Sequence, residues 1–338
     1  MILSGHRNVI SCLIQLHDDR IASGSYDKTI RIWDPNNGQD ELELIGHKDI
    51  ISSLIQLTDR RIASGSWDKT IRIWDLEKET DMVLIGHTQP VSCLIQLHDG
   101  RIASGSWDNT IRIWDVNTGK CDMVLKRHKE PIESIIQLSD RLIASGAKDE
   151  VIVWNTSYGI FNDASSEGIN SSRCLIRLSD ERIAYGSKDE MRIWDAYDTG
   201  KEMILYGHKE DIKCLLKLSD GRIATGSDDK TIKIWNPNNG ECEMTLKGHK
   251  GSVSLLIQLF DGRIASGSKD ATIRIWDTHN EECMAILEGH KNSISCLIQL
   301  SNKRIASASL DIIIWSVPLV PRTIKNQYKV FDTLFRFN

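Results

Sequence analysis

Between residues 46 and 86 the chain reads as four short runs separated by polar turns. Ile50–Leu57 is mostly apolar and of strand length, closed by Thr58-Asp59-Arg60 as a turn. Arg61–Ser66 and Thr70–Trp74 are two more short runs rich in Ile, with Trp67-Asp68-Lys69 between them, and Met82–Ile85 is a fourth. In Thr70-Ile71-Arg72-Ile73-Trp74 a period of two puts Thr70, Arg72 and Trp74 on one face and the isoleucines on the other. Both faces carry packing residues, as a sheet sandwiched between neighbouring sheets requires. No stretch of useful length has the helical period. The pattern predicts an all-β chain with four strands per unit.

The unit recurs along the chain. Trp33, Trp74, Trp114, Trp154, Trp194, Trp235, Trp276 and Trp315 are spaced by 39 to 41 residues. Gly-His pairs precede most of them, at 5-6, 46-47, 86-87, 207-208, 248-249 and 289-290. Repeat four keeps His128 behind Arg127, and repeat five has Glu167-Gly168 where the pair belongs. A period near 40 residues with Gly-His and Trp-Asp marks is the signature of a propeller, each blade one four-stranded antiparallel sheet. The repeat resembles the WD-repeat family over residues 1 to about 317.

That resemblance implies radial blades around a central channel and, in each well-formed blade, a buried tetrad of His, Ser or Thr, Asp and Trp. The matching residues are His6, Ser23, Asp27 and Trp33 in the first repeat and His47, Ser64, Asp68 and Trp74 in the second. The third has His87, Ser104, Asp108 and Trp114, and the fourth His128, Ser145, Asp149 and Trp154. The sixth has His208, Thr225, Asp229 and Trp235; the seventh, His249, Ser266, Asp270 and Trp276; the eighth, His290, Ser307, Asp311 and Trp315. Repeat five departs, with Tyr185 in the Ser position, no His, and Asp189 and Trp194 kept. Chained together, such buried polar groups satisfy one another, where an unpaired one costs about 1–3 kcal/mol. Near-copies of one buried cluster read as scaffold, although a serine hydrolase uses the same residue types; a nucleophile there is singular and exposed.

Repeat eight supplies three strands and breaks at Pro318 and Pro321. Met1–His6 resembles the fourth-strand ending Val83–His87, so it is expected to complete the last blade and close an eight-bladed ring. A seven-bladed ring with one repeat displaced is the competing arrangement. The expected division is a propeller over 1–317 and a tail over 318–338. Repeats four and five have turns one residue short between Asp and Trp, and Tyr158–Gly168 is rich in Ser, Asn, Gly and Asp. This reads as drift in preference to a binding insertion. Repeat eight has a turn shorter by two, from Asp311 to Trp315.

The formal net charge of −5 provides no global basic field for nucleic acid or an anionic membrane. The start lacks the pattern of a secretory signal, and no window approaches a membrane span, so the expected compartment is cytoplasm, with nucleus as the alternative. Asn155-Thr156-Ser157 and Asn170-Ser171-Ser172 match a glycosylation pattern that this compartment sets aside. The eight cysteines recur at two repeat positions without a Cys-x-x-Cys, reading as reduced, small buried hydrophobes. No cofactor or metal site is expected.

By resemblance, the residue before each tetrad Asp projects from the rim at the channel mouth: Tyr26, Trp67, Trp107, Lys148, Lys188, Asp228, Lys269 and Leu310. A second rim position reads Ser11, Ser52, Ser92, Glu133, Arg173, Lys213, Ser254 and Ser295. Trp67 and Trp107 are the two tryptophans of ten that the repeat does not require. An aromatic sector facing a partly basic one suits a docking surface for a peptide with an apolar anchor and acidic or phosphorylated groups. The expected function is a non-catalytic protein–protein interaction scaffold, a monomeric propeller within a complex. The alternatives are the substrate-recognition subunit of an assembly such as a ubiquitin ligase and, less favoured, a nucleic-acid-binding propeller using Lys148, Arg173, Lys188 and Lys213. Trp-Asp is not followed by the Arg with which some family members bind a cullin-ligase adaptor; those positions hold Asn36, Glu77, Asn117, Tyr197 and His279.

Overall fold

The computed structural model describes residues 1–148, 150–162, 174–178, 182–195, 202–317 and 322–325. Eight sheets follow one another in chain order, and their innermost strands touch in a closed cycle, the eighth against the first. Blade one runs outward as Ile10–Gln15, Ile21–Ser25, Thr29–Trp33 and Asp40–Ile45, all antiparallel. Blade eight has three strands from the C-terminal side, Cys296–Gln299, Ile305–Ala308 and Ile312–Trp315, and its outer strand is Ile2–Leu3. Ile2 lies opposite Ile313 and Leu3 opposite Ile312, while Met1 and Ile314 exchange backbone bonds of 3.1 and 2.8 Å. The ring is therefore eight-bladed and closed by its N-terminus.

Blade seven carries one strand more than the repeat predicts. Arg322–Lys325, within the stretch read as a tail, pairs in parallel with the outer strand Cys283–Glu288. In blade four the fourth strand is Gly159–Asn162; the remainder of that polar segment, 163–168, lies outside the described residues.

Packing between blades follows from the two-faced strands. One cluster joins Leu16, Ala22, Ile30 and Ile32 of blade one to Ile51, Leu54, Ile62 and Trp74 of blade two, and equivalent clusters recur around the ring. Each such Ile contributes about 1.5–3 kcal/mol by leaving water. The second strand, Ile-Ala-Ser-Gly-Ser in four blades, is there buried at every position. Its glycine is required by proximity: a Cβ on Gly24 would stand 2.5 Å from Ile51 Cγ2 and 2.7 Å from Cys12 Sγ.

Polar stitches add to the apolar seams. Ser52 Oγ donates to Val91 O of the next blade at 2.5 Å, and Ser92 Oγ to Ile132 O at 2.6 Å; Ser11 Oγ reaches Ile51 O likewise. At the other end of the same strands a glutamine accepts a turn N–H from the preceding blade. His17 N–H donates to Gln56 Oε1 (2.8 Å), Thr58 to Gln96 (2.9 Å), His98 to Gln137 (3.1 Å), Ser219 to Gln258 (2.8 Å), Phe260 to Gln299 (2.7 Å) and Ser301 to Gln15 (2.8 Å). The belt lapses at Arg177 and Lys217, side chains with no acceptor. An arginine staple reaches further out: Arg61 bonds Val116 O at 3.0 Å and Arg182 bonds Pro237 O at 2.7 Å.

Candidate docking rim

The tetrads form one polarised hydrogen-bond chain. In blade two, Trp74 Nε1–H donates to Ser64 Oγ at 2.8 Å, Ser64 lies 2.8 Å from His47 Nε2, and His47 Nδ1 lies 2.8 Å from Asp68 Oδ2. A carboxylate only accepts, so Nδ1 carries the proton and Nε2 accepts the Ser64 hydroxyl. Asp68 also takes the Lys48 N–H, the Thr70 N–H and the Thr70 hydroxyl. The same arrangement stands in blades one, three, six and seven, with Thr225 replacing the serine in blade six. Burial alone would raise the Asp27 and Asp229 carboxyls; donors led by Thr29 and Thr231 hold both at about 2. Burial lowers His6, His208 and His249, against the pull of their aspartates.

Three blades differ. In blade four, His128, Ser145 and Trp154 are bonded through Ser145, while Asp149 lies outside the described residues. In blade five Tyr185 is fully buried and its hydroxyl donates to Glu202 at 2.5 Å; Glu202 also pairs with Arg192 at 3.2 Å.

Blade eight corrects the expectation of a full tetrad. His290 and Trp315 each reach Ser307 at 2.7 Å, but Asp311 makes no hydrogen bond to His290. The reason is the shortened turn. Ile312 pairs with Ala308 as Ile30 pairs with Gly24, so the two residues corresponding to Lys28 and Thr29 are missing. The hydroxyl that anchors the carboxylate elsewhere goes with them. Without that bond burial dominates and lowers His290 to about 4, opposed only by the Asp311 charge and the Ser307 contact.

The turn between the second and third strands carries the rim. Tyr26, Trp67 and Trp107 N–H groups each donate at 2.9 Å to Val9, Ile50 and Pro90, just before the innermost strands, which fixes these residues at the channel mouth. The Trp67 and Trp107 rings meet with centroids 5.1 Å apart and planes tilted by 50°. Tyr26 (41%), Trp107 (44%) and Leu310 (43%) are exposed and Trp67 is half-buried, so an apolar arc runs over four adjacent blades, eight to three. Lys148 and Lys188 are exposed and carry no ion pair among the described residues.

The basic sector is smaller than its lysines suggest. Lys213 Nζ lies 3.0 Å from both Asp211 and Asp228, and Lys269 lies 3.8 Å from Asp228. Burial works to lower the Lys213 ammonium, but Asp228 and Asp211 raise it. Glu133 is half-buried on the innermost strand of blade four; Arg173 lies outside the described residues. Of the serines at the second rim position, Ser11, Ser52 and Ser92 stitch one blade to the next, and Ser295 bonds Ala308 O within its own blade. Among the described residues no three His, Cys, Asp or Glu side chains are placed to hold a metal.

The family model for the WD domain, G-beta repeat, matches residues 1–34, 38–75, 78–115, 200–236, 240–277 and 281–315, more than half of the chain. This chain belongs to the WD-repeat family. The matched stretches leave out 116–199, which holds the divergent repeats four and five. Its likeness to the crystal structure of the computationally designed Ika8 protein has a TM-score of 0.82 at 25% identity, covering 94% of this chain and 98% of that one. A stretch of 39 residues is 51% identical to the probable E3 ubiquitin ligase complex SCF subunit sconB of Aspergillus niger. That match spans 12% of this chain and 6% of that protein. No helix among the described residues is long and apolar enough to cross a membrane.

Sequence reasoning about this WD-repeat chain missed the glutamine belt and the arginine staple. The signal was available: Gln recurs in the innermost strand at the repeat period, as Gln15, Gln56, Gln96, Gln137, Gln258 and Gln299.

Proposed function

We propose that this WD-repeat chain is a non-catalytic interaction scaffold that docks a partner protein or peptide on the arc formed by Leu310, Tyr26, Trp67 and Trp107. The observation that carries it is the Trp67–Trp107 contact beside an exposed Tyr26. Tyr26 and Trp107 are exposed and Trp67 is half-buried against Trp107; large apolar side chains held on rigid turns lose little entropy on binding and supply the anchors of protein interfaces. WD-repeat propellers are typically interaction scaffolds. The Ser-His-Asp sets argue against hydrolysis, because Ser23, Ser64, Ser104 and Ser266 are fully buried and donate to the histidine inside the blade. The exposed Lys148 and Lys188 suit acidic or phosphorylated groups flanking an apolar anchor. We place the protein in the cytoplasm or nucleus as a monomeric member of a complex.

Affinity purification with mass spectrometry, comparing the wild type with Trp67→Ala/Trp107→Ala, tests this. Loss of a specific partner with unchanged melting supports the arc; an unchanged partner set refutes it. The second reading is a subunit of a ubiquitin ligase, favoured by the short match to the sconB protein. It expects ligase-complex subunits among the co-purified proteins. Nucleic-acid binding is disfavoured by the pairing of Lys213; such binding would weaken steeply with salt.

A further inference from the structure

The seam between blades one and two is open on the side wall, away from the rim. The turn arginines Arg61, Arg101, Arg182 and Arg222 each bond a backbone carbonyl of the next blade's outer turn, as Arg61 does to Val116 O. Arg20 bonds Asp18 at 2.7 Å, as Arg61 bonds Asp59, but its second contact is Glu41 of its own blade at 3.3 Å. Beside it a groove of 270 Å³ runs between the outer strand Asp40–Ile45 and the outer turn of blade two. Its floor is apolar, from Leu42, Leu44, Trp74 and Leu76, and Ile45 at its end is 73% exposed. Its walls hold four carboxylates and no cation. Glu43, Asp75 and Asp81 are engaged by Arg31, Lys78 and Arg72 of this chain, whereas Glu79 has no ion pair among the described residues.

Among the described residues the edge along this groove is unpaired: Asp40–Ile45 is the last strand of its sheet. Such an edge is a template for an incoming strand. On blade seven the corresponding edge already serves that purpose, carrying Arg322–Lys325 in parallel, a segment of sequence Arg-Thr-Ile-Lys. We propose that the blade-one edge is a strand-addition site for an extended peptide in which basic residues alternate with apolar ones. The backbone would pair with Asp40–Ile45, apolar side chains would enter the groove over Leu42 and Leu44, and a basic side chain would meet Glu79.

The test uses the full chain and a short fluorescein-labelled peptide of lysines alternating with isoleucine and threonine, with a glutamate-for-lysine peptide as control. Binding is read by anisotropy and mapped by amide hydrogen exchange. The lysine peptide should bind, more weakly at higher salt, and should slow exchange within Asp40–Ile45. Glu79→Lys, at an exposed turn, should weaken it about tenfold with unchanged melting, and Ile45→Asp should weaken it as well. Equal binding of the glutamate peptide, or protection at another outer edge in place of Asp40–Ile45, overturns the proposal. So does slowed exchange that survives Glu79→Lys and Ile45→Asp. Protection confined to Cys283–Glu288 would mean exchange with the chain's own tail strand and overturns it too.

Discussion

Asp68 and Asp311 occupy the same repeat position, yet one is clamped and the other is not, so replacing each by alanine separates the hydrogen-bond chain from its sequence mark. Asp68 accepts from His47 (2.8 Å), the Lys48 N–H (2.8 Å), the Thr70 N–H (2.9 Å) and the Thr70 hydroxyl (2.6 Å). Its removal leaves the His47 Nδ1–H only the Thr70 hydroxyl, 3.3 Å away, in a side chain that is 0% exposed. Bonds to a charged acceptor contribute about 1.5–3 kcal/mol, and the exposed backbone donors regain water, so the loss is about 3 kcal/mol. Asp311 accepts no side-chain bond from His290 and acts on it only through its charge, so Asp311→Ala should cost about 0.5 kcal/mol or less. At about 2.1 cal/mol/K per residue over 338 residues, 1 kcal/mol shifts the Tm by roughly 1.4 °C. Asp68→Ala should lower the Tm by about 4 °C and Asp311→Ala by less than about 1 °C. Circular dichroism melts with urea midpoints as a second measure provide the readout, since a repeat ring need not unfold in one step. Equal losses in the two variants would refute the distinction between the blades.

Acid should weaken the last blade first. The folded-state pKa of His290 is depressed from 6.5 to about 4, so its contribution is fully present above 6.5 and is lost as pH falls through 4; at 1.36 kcal/mol per pKa unit that amounts to about 3 kcal/mol. Hydrogen exchange at pH 7 and pH 4.5 should show the strands around Ser307 opening before those around Ser64. Leu3→Ala, at a side chain 1% exposed in the two-residue closing strand, should cost about 2–4 kcal/mol in urea unfolding. A loss below about 0.5 kcal/mol would mean that the closure does not hold the ring. Gly24→Ala should destabilise by about 1–3 kcal/mol through the clash with Ile51, seen as a lower midpoint with unchanged far-ultraviolet spectrum.

Much of the fold was legible because one pattern is written eight times. The two-sided strand Thr70–Trp74 and the glycine in Ile-Ala-Ser-Gly-Ser can be satisfied only between two other sheets. The likeness of Met1–His6 to Val83–His87 likewise located the closure. The features that stayed hidden depend on relations across blades or on backbone reach. Asp311 keeps its identity, but whether its carboxylate arrives at His290 depends on two deleted residues and the hydroxyl lost with them. Lys213 looks basic in the chain and is neutralised by Asp211 two residues away and by Asp228 on the next turn. The tail strand on blade seven has no repeat partner, so periodicity could not announce it.

The closing strand has a consequence for how such a ring changes size. The sequence unit, counted from Gly-His to Gly-His, is offset by one strand from the blade it helps to build, so each unit is interlocked with its neighbour through a shared sheet. Because Ile2–Leu3 makes that interlock for the final blade, gain or loss of a whole unit anywhere leaves all outer strands claimed and alters the circumference alone. The offset makes the number of units a free variable of the architecture, and the joint that holds the two ends is indifferent to how many lie between them.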